Sequence, residues 1–353
     1  MDQPVDHDQA GSTDKLAGIS GTTALAGVLG DPVRHSLSPA MHNAALAALG
    51  LDWVYLALPV AASELGGVVR ALEALDCRGL NVTLPHKQVV AALATELTPL
   101  AQRLGAVNTL VRRAQGGWLG TNTDVEGFLA PLRSNAGTGL EAEAGPGARA
   151  GAIDWRGRTA LVLGCGGSAR AVVAGLAELG LGRIQVAGRR AASLESFLAG
   201  CQPWAPGLEA VVWEEGTAAG VAAGSAAAAH NTMSAALTVP LGAALGAALA
   251  ASDLVVNTTP VGMASPNNPL AAEACPLTAL ELEQLPAGAT VYDLIYVPRP
   301  TTLLRRAAER GCRTVDGLEM LVQQGAASLR LWSGVAEVPL AAMRQAALKQ
   351  LAG

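Results

Sequence analysis

The stretch "RTALVLGCGGSARAVVAGLAELG" (158–180) decides the fold. An apolar run, a Gly-rich turn and an amphipathic stretch follow one another, which predicts strand, turn and helix. Within it Gly164, Gly166 and Ala169 match the G-x-G-x-x-G/A spacing of dinucleotide-binding turns. Gly164 permits the tight turn, and Gly166 lets the backbone approach a pyrophosphate. Ala169 lets the helix pack closely on the strand, and the free N–H groups of the first helical turn favour an anion. A Gly-rich turn with no ligand is the plain alternative, and the strand before and helix after count against it. The second strand, "RIQVAGRR" (183–190), ends where an NAD site carries an acidic residue for the ribose hydroxyls. This chain has Gly188, Arg189 and Arg190 there. Two guanidinium groups suit a 2′-phosphate, so NADP is expected over NAD. Two solvated arginines at a helix start are the alternative, although cations oppose the helix dipole there.

Outward from this unit the chain alternates. Strands are expected at 158–163, 183–187, 208–213, 253–257 and 290–295, with helices at 168–179, 191–199, about 239–251 and 301–310. An earlier block repeats the pattern, with strands at 24–30, 53–58 and 79–84 and helices at 38–50, 63–75 and 86–94. Alternation of this kind gives an α/β fold with mostly parallel sheets. Helices at 317–332 and 338–351 end the chain. The Gly- and Ala-rich segments 134–152 and 214–236 lack periodicity and are expected to be surface loops. Residues 1–22 are expected to be a disordered tail.

Composition narrows the function. The 353 residues allow two domains. A net charge of −5 and an aromatic content of 3% argue against nucleic acid or an anionic membrane as partner. The five cysteines form no CxxC pair, which suits reduced thiols in the cytoplasm and gives no metal site. The apolar stretch 235–251 is short and broken by Pro240, Gly242 and Gly246, so it is not read as a membrane span.

Polar residues cluster in the first block. In "RGLNVTLPHKQVV" (78–90), Pro85 fits a first helical position and Lys87 falls in the next turn. A cation there opposes the macrodipole, and a local rule broken in this way calls for a gain elsewhere. "HSLSP" (35–39) sets Ser36 and Ser38 beside a helix start, where two hydroxyls suit a carboxylate, or where Ser38 is simply the N-cap. Asn81 and Thr83 share a strand face, and Asn108 sits in an otherwise apolar strand where a buried amide needs partners. Asp124 lies in "GTNTDVEGF" (120–128), where Thr123 and Glu126 have capping-box spacing. Lys87 and Asp124 together form a plausible ion pair beside alcohol-binding groups.

With these motifs in one order, the chain resembles the shikimate dehydrogenase family. The resemblance rests on "GDPVRHSLSP" (30–39), "NVTLPHK" (81–87), "GAVNTL" (105–110), "NTD" (122–124), "GCGGSARA" (164–171), "NTTPVGM" (257–263), "DLIYVP" (293–298) and "DGLEMLVQQGAASLRLW" (316–332). It implies NADPH-dependent, reversible reduction of 3-dehydroshikimate to shikimate, in the cytoplasmic pathway to chorismate and aromatic amino acids. It implies two domains with the active-site cleft between them. Residues 23–123, completed by 317–353, would bind substrate, and a Rossmann-like domain at 124–316 would bind NADP.

By the same resemblance, Lys87 and Asp124 are the catalytic pair. Ser36 and Ser38 take the substrate carboxylate. Thr83, Asn108, Asp124 and Gln324 hold ring hydroxyls, with Asn81 close by and Tyr296 reaching in from the other domain. Gly164, Cys165, Gly166, Gly167, Ser168 and Ala169 with Gly188, Arg189 and Arg190 hold NADP, and Leu294 and Gly317 lie near its nicotinamide end. The family usually has an Asn-Arg-Thr trio where this chain has Gly188-Arg189-Arg190. A homodimer is left open as the assembly. An NAD-dependent quinate/shikimate dehydrogenase and a nucleotide-sensing protein without catalysis are the alternatives.

Overall fold

Two six-stranded sheets organise the chain. They are seen in a computed structural model that describes residues 18–134, 153–213, 242–264 and 268–352. The tail expectation for 1–17 and the loop expectations for 135–152 and 214–236 lie outside the described residues. Residues 18–22, assigned to the tail from sequence, include an ordered turn. There the Thr22 and Thr23 hydroxyls donate to Asp52 at 2.9 and 2.7 Å.

The first sheet contains β1 (Ala24–Gly30), β2 (Trp53–Pro59), β3 (Gly79–Val82), β4 (Glu96–Leu97), β5 (Thr109–Arg112) and β6 (Trp118–Thr121). Helices α1 (Ser38–Ala48), α2 (Leu65–Ala74) and α3 (Pro99–Leu104) connect it. Its order is β2-β1-β3-β5-β6-β4. The sheet is mixed, because β5 runs antiparallel to both β3 and β6. Gly116 and Gly117 have φ of 88° and 77° in the β5–β6 turn, a conformation that other residues rarely adopt.

After α4 (Asp124–Ser134) comes the second sheet, with β7 (Thr159–Leu163), β8 (Arg183–Gly188), β9 (Leu208–Val212), β10 (Leu254–Asn257), β11 (Thr290–Asp293) and β12 (Arg313–Val315). Its helices are α5 (Gly167–Glu178), α6 (Ala191–Cys201), α7 (Ala243–Ala250), α8 (Ala279–Leu282) and α9 (Thr302–Glu309). The order β12-β11-β10-β7-β8-β9 is parallel throughout, the doubly wound arrangement of dinucleotide-binding folds. The order of the strands reverses between β7 and β10, and a crevice opens there beyond their carboxyl ends. β7 is apolar on both faces because both faces are covered. Ala160 and Val162 enter the core shared with α5 and α6, while Leu161 and Leu163 enter the one shared with α7, α8 and α9.

The chain then returns. On α10 (Gly317–Ser333), Leu318, Val322, Ala326 and Leu329 join Val28, Met41 and Ala45 under the first sheet, and α11 (Leu340–Ala352) adds Met343 and Ala347. Phe128 and Leu129 of α4 belong to the core of the second sheet, while Gly127 lies against the Met320 carbonyl of α10. Helices α4 and α10 therefore join the two halves. No helix among the described residues is long and apolar enough to cross a membrane.

Three local expectations are corrected. Residues 86–94 are not an α-helix: a turn follows β3, and only Val89–Leu93 coil, as a 3-10 segment. Ser38 does not cap α1, whose N-cap is Leu37, without a side-chain bond. Thr123 and Glu126 form no capping box, because the Thr123 hydroxyl turns inward to Asn108 and the Glu126 carboxylate pairs with Arg330 of α10.

His42 of α1 is fully buried, stacked on Tyr55 with ring centroids 4.1 Å apart, and neither ring nitrogen has a hydrogen-bond partner. Burial pushes its pKa from 6.5 down to about 3. The unfolded chain binds a proton near its ordinary pKa that the folded chain refuses. Stability is therefore complete above that pH and is lost as pH falls towards 3. Linkage puts the loss at about 3 kcal/mol by about pH 4. His42→Phe keeps a ring on Tyr55 and is expected to flatten this dependence in urea unfolding at neutral and acid pH. Equal acid sensitivity in the variant would remove His42 as the cause.

Candidate active site

A cavity of about 450 Å³ opens between the halves. Ser36, Ser38, Asn81, Thr83, Lys87, Asn108, Asp124, Tyr296 and Gln324 all line it. In its wall Lys87 Nζ donates to Asp124 Oδ2 at 2.6 Å, and the side chains are only 13% and 8% exposed.

The turn after β3 holds Lys87 in place. His86 N–H donates to the Thr83 carbonyl at 2.9 Å, and its buried ring nitrogen Nε2 lies 2.7 Å from the Val60 carbonyl. The Lys87 carbonyl accepts from Val107 N–H at 2.7 Å. The backbone is therefore fixed on both sides of the amine, and the helix dipole invoked from sequence plays no part. Asp124 opens α4, where a carboxylate suits the positive helix end. Its N–H donates to Asn122 Oδ1 at 3.0 Å. Its second oxygen, Oδ1, accepts from Asn108 Nδ2 at 2.8 Å. Asn108 lies just ahead of β5 and is locked in turn, with Oδ1 accepting from Thr123 N–H at 2.8 Å and from the Thr109 hydroxyl at 2.9 Å.

Behind this pair lies a buried polar cluster in which the sequence pointed to Asn81 but not to Tyr55, Thr109 or Ser328. Asn81 Nδ2 donates to Ser328 Oγ at 2.9 Å, Tyr55 donates to Asn81 Oδ1 at 2.8 Å, and Ser328 Oγ lies 2.9 Å from Thr109 Oγ1. Burial raises the Tyr55 pKa well above the ordinary range, so its hydroxyl keeps its proton and remains a donor. Of the cluster's signals, only the polar residues in apolar strands are visible locally.

The structure brings Leu294, Gly317 and Ser168 to this same cavity, against the wall formed by the second sheet. The Gly317 N–H donates to the Ile295 carbonyl at 3.1 Å, and a Cβ built on Gly317 would overlap the Leu294 carbonyl oxygen. Gly317→Ala should displace the loop after β11 and cost about 3 kcal/mol of stability, read by urea unfolding. An unchanged midpoint would show that the loop yields freely. The anchor of that loop is Asp293, which accepts from Asn257 Nδ2 at 2.9 Å and from the Thr301 hydroxyl at 2.8 Å. Burial nevertheless raises its pKa to about 6.

A larger cavity of about 1280 Å³ adjoins the switch point. Gly164, Cys165, Gly166, Gly188, Arg189 and Arg190 line it, together with Arg170, Ser193, Ser196, Trp213, Thr258 and Thr259, which were not anticipated. Gln88, next to Lys87, reaches it from the first half. Gly167 and Ala169 do not line it, and Ala169 is fully buried in the helix–sheet contact. The groove fits a dinucleotide. Gly164 has φ of 102°, and a Cβ there would come within 2.8 Å of the Thr258 hydroxyl. Cβ atoms on Gly166 and Gly167 would meet nothing within 4 Å, so the bare backbone at the start of α5 is open to a pyrophosphate.

A doubly wound sheet with this groove, next to a pocket holding an amine–carboxylate pair, defines a dinucleotide-dependent oxidoreductase. Comparison with known proteins agrees. The family description "Shikimate dehydrogenase substrate binding domain" matches residues 28–110, and "Shikimate 5'-dehydrogenase C-terminal domain" matches 317–348. The shikimate dehydrogenase (NADP(+)) of Synechococcus sp. (strain JA-3-3Ab) is 47% identical over 334 residues, 95% of this chain and 96% of that protein. The crystal structure of shikimate 5-dehydrogenase from Listeria monocytogenes, in complex with shikimate and NAD, superposes with a TM-score of 0.73 at 30% identity, covering 93% of this chain and 97% of that one. The structure of the Thermus thermophilus enzyme in complex with NADP(H) and shikimate gives 0.68 at 33% identity, covering 93% and 100%. The chain belongs to the shikimate dehydrogenase family.

Proposed function

We propose that this protein catalyses the NADPH-dependent, reversible reduction of 3-dehydroshikimate to shikimate. The Lys87–Asp124 pair, set in the wall of a cavity that adjoins the dinucleotide groove, carries the reading. Substrate binding is assigned to the layer built on 23–123 and closed by 317–353, and NADP binding to 124–316. Helix α4 packs on both parts and is the joint.

Bound NADPH supplies the hydride. Ser36 and Ser38, at the start of α1, bind the substrate carboxylate with their hydroxyls. Thr83, Asn108, Gln324 and Tyr296 orient the ring, so that the carbonyl oxygen meets Lys87 Nζ. The ammonium stabilises negative charge developing on that oxygen and donates the proton to it. Asp124 holds the amine in place through Oδ2 and accepts from Asn108 through Oδ1, so Lys87 enters the reaction already aimed. Arg189 and Arg190 bind the 2′-phosphate, which favours NADP over NAD.

The test is NADPH consumption by the purified chain with 3-dehydroshikimate, run beside NADH and 3-dehydroquinate. Turnover with the first pair at least tenfold above the others is the expected result. Preference for NADH with 3-dehydroquinate would transfer the chain to the quinate branch. No turnover with any pair would leave only nucleotide binding.

A further inference from the structure

We propose that Thr109 is a positioning residue for the Lys87–Asp124 pair: its hydroxyl aims the Asn108 amide at Asp124, and through Asp124 it keeps the amine aimed at the substrate. The proposal rests on reading that pair as the catalytic one. Thr109 opens β5 directly after Asn108, is fully buried and lines neither cavity. It therefore acts on the reaction only through other side chains.

Two backbone groups set the direction of the hydrogen bonds around it. The Thr123 N–H can only donate, so the Asn108 atom 2.8 Å away is Oδ1, and Nδ2 is left to face Asp124 Oδ1 at 2.8 Å. The Asn108 carbonyl can only accept, so the Asn81 atom 3.3 Å from it is Nδ2. Tyr55 agrees, since its hydroxyl donates to Asn81 Oδ1 on the other side. Thr109 Oγ1 stands between the two amides, accepting from Asn81 Nδ2 at 3.2 Å and donating to Asn108 Oδ1 at 2.9 Å. Ser328 Oγ, 2.9 Å from Thr109 Oγ1, accepts from Asn81 Nδ2 at 2.9 Å and donates to the Gln324 carbonyl at 3.1 Å. The donors thus point one way, from Tyr55 through Asn81, Thr109 and Asn108 to the carboxylate that holds Lys87. Bonds aligned in this way polarise one another, so losing one link weakens the hold on Asp124. Without the Thr109 hydroxyl, Asn108 Oδ1 keeps its backbone partner. The amide stays the right way round, and the loss falls on its aim.

The experiment measures kcat and KM with NADPH and 3-dehydroshikimate on the full chain. The variants are Thr109→Val, Thr109→Ser, Lys87→Met, and Lys87→Met combined with Thr109→Val. Valine has the outline of threonine and no hydroxyl. Thr109→Val should lower kcat about tenfold, the worth of one hydrogen bond, with KM within about threefold and the fold intact. Thr109→Ser restores the hydroxyl without the methyl and should recover most of the rate. In the Lys87→Met background the valine should change kcat by less than about twofold, because no amine is left to aim. A wild-type rate in Thr109→Val, no rescue by serine, or a full loss repeated in the Lys87→Met background would each overturn the role of Thr109 and leave the catalytic pair standing. Wild type without turnover, or Lys87→Met at the wild-type rate, would overturn the pair and the proposal with it. If Thr109→Val fails to fold, Thr109→Ala takes its place and the same comparisons decide.

Discussion

Lys87→Met is expected to lower kcat by about three orders of magnitude, with KM for 3-dehydroshikimate within a few-fold of wild type. Methionine matches the length of the aliphatic stem, so the turn held by His86 and by the Lys87 carbonyl keeps its shape. What disappears is the ammonium proposed to meet the reacting oxygen. The groups proposed to hold the ring, on Thr83, Asn108, Gln324 and Tyr296, remain, so on that reading ground-state binding survives while the charge developing in the transition state loses its partner. Asp124 keeps one bond, from Asn108 Nδ2, but loses its counter-charge with only 8% of its side chain exposed. A modest loss of stability therefore accompanies the loss of rate. Steady-state kinetics in both directions and a thermal melt check both parts. A kcat within tenfold of wild type would remove Lys87 from the proton step.

Why the site is legible in the sequence and its support is not can be read from particular residues. Gly164, Gly166 and Ala169 announce the groove because one local turn fixes all three. The pair Arg189–Arg190 is likewise local, at the end of a strand whose apolar character is plain. Lys87 stands out in the sequence for the wrong reason: Pro85 looks like a helix opener, yet the backbone turns there, and the amine is placed by His86 and by Val107, a strand away. The T-x-x-E spacing at 123–126 misleads in the same way, because burial of Thr123 against Asn108 and an ion pair from Arg330 outweigh a local cap. Ser328 carries no local signal at all. It meets Asn81 across 247 positions of sequence, and only the return of α10 under the first sheet makes that contact.

Asp124→Asn should lower kcat/KM by about two orders of magnitude while the protein stays folded. The amide can still offer Oδ1 to Asn108 Nδ2, so the bond that anchors the start of α4 survives. Its nitrogen then faces Lys87 Nζ, donor against donor, and the ammonium is no longer held. If the two residues act as one device, their losses do not add: Lys87→Met combined with Asp124→Asn should be no more than a few-fold slower than Lys87→Met alone. Multiplying losses would instead mean that each side chain acts on the substrate separately, Lys87 at the carbonyl and Asp124 at a neighbouring hydroxyl. The double-mutant cycle distinguishes these arrangements because the 2.6 Å contact joins the two groups directly, so removing either one already dissolves the interaction that the other depends on.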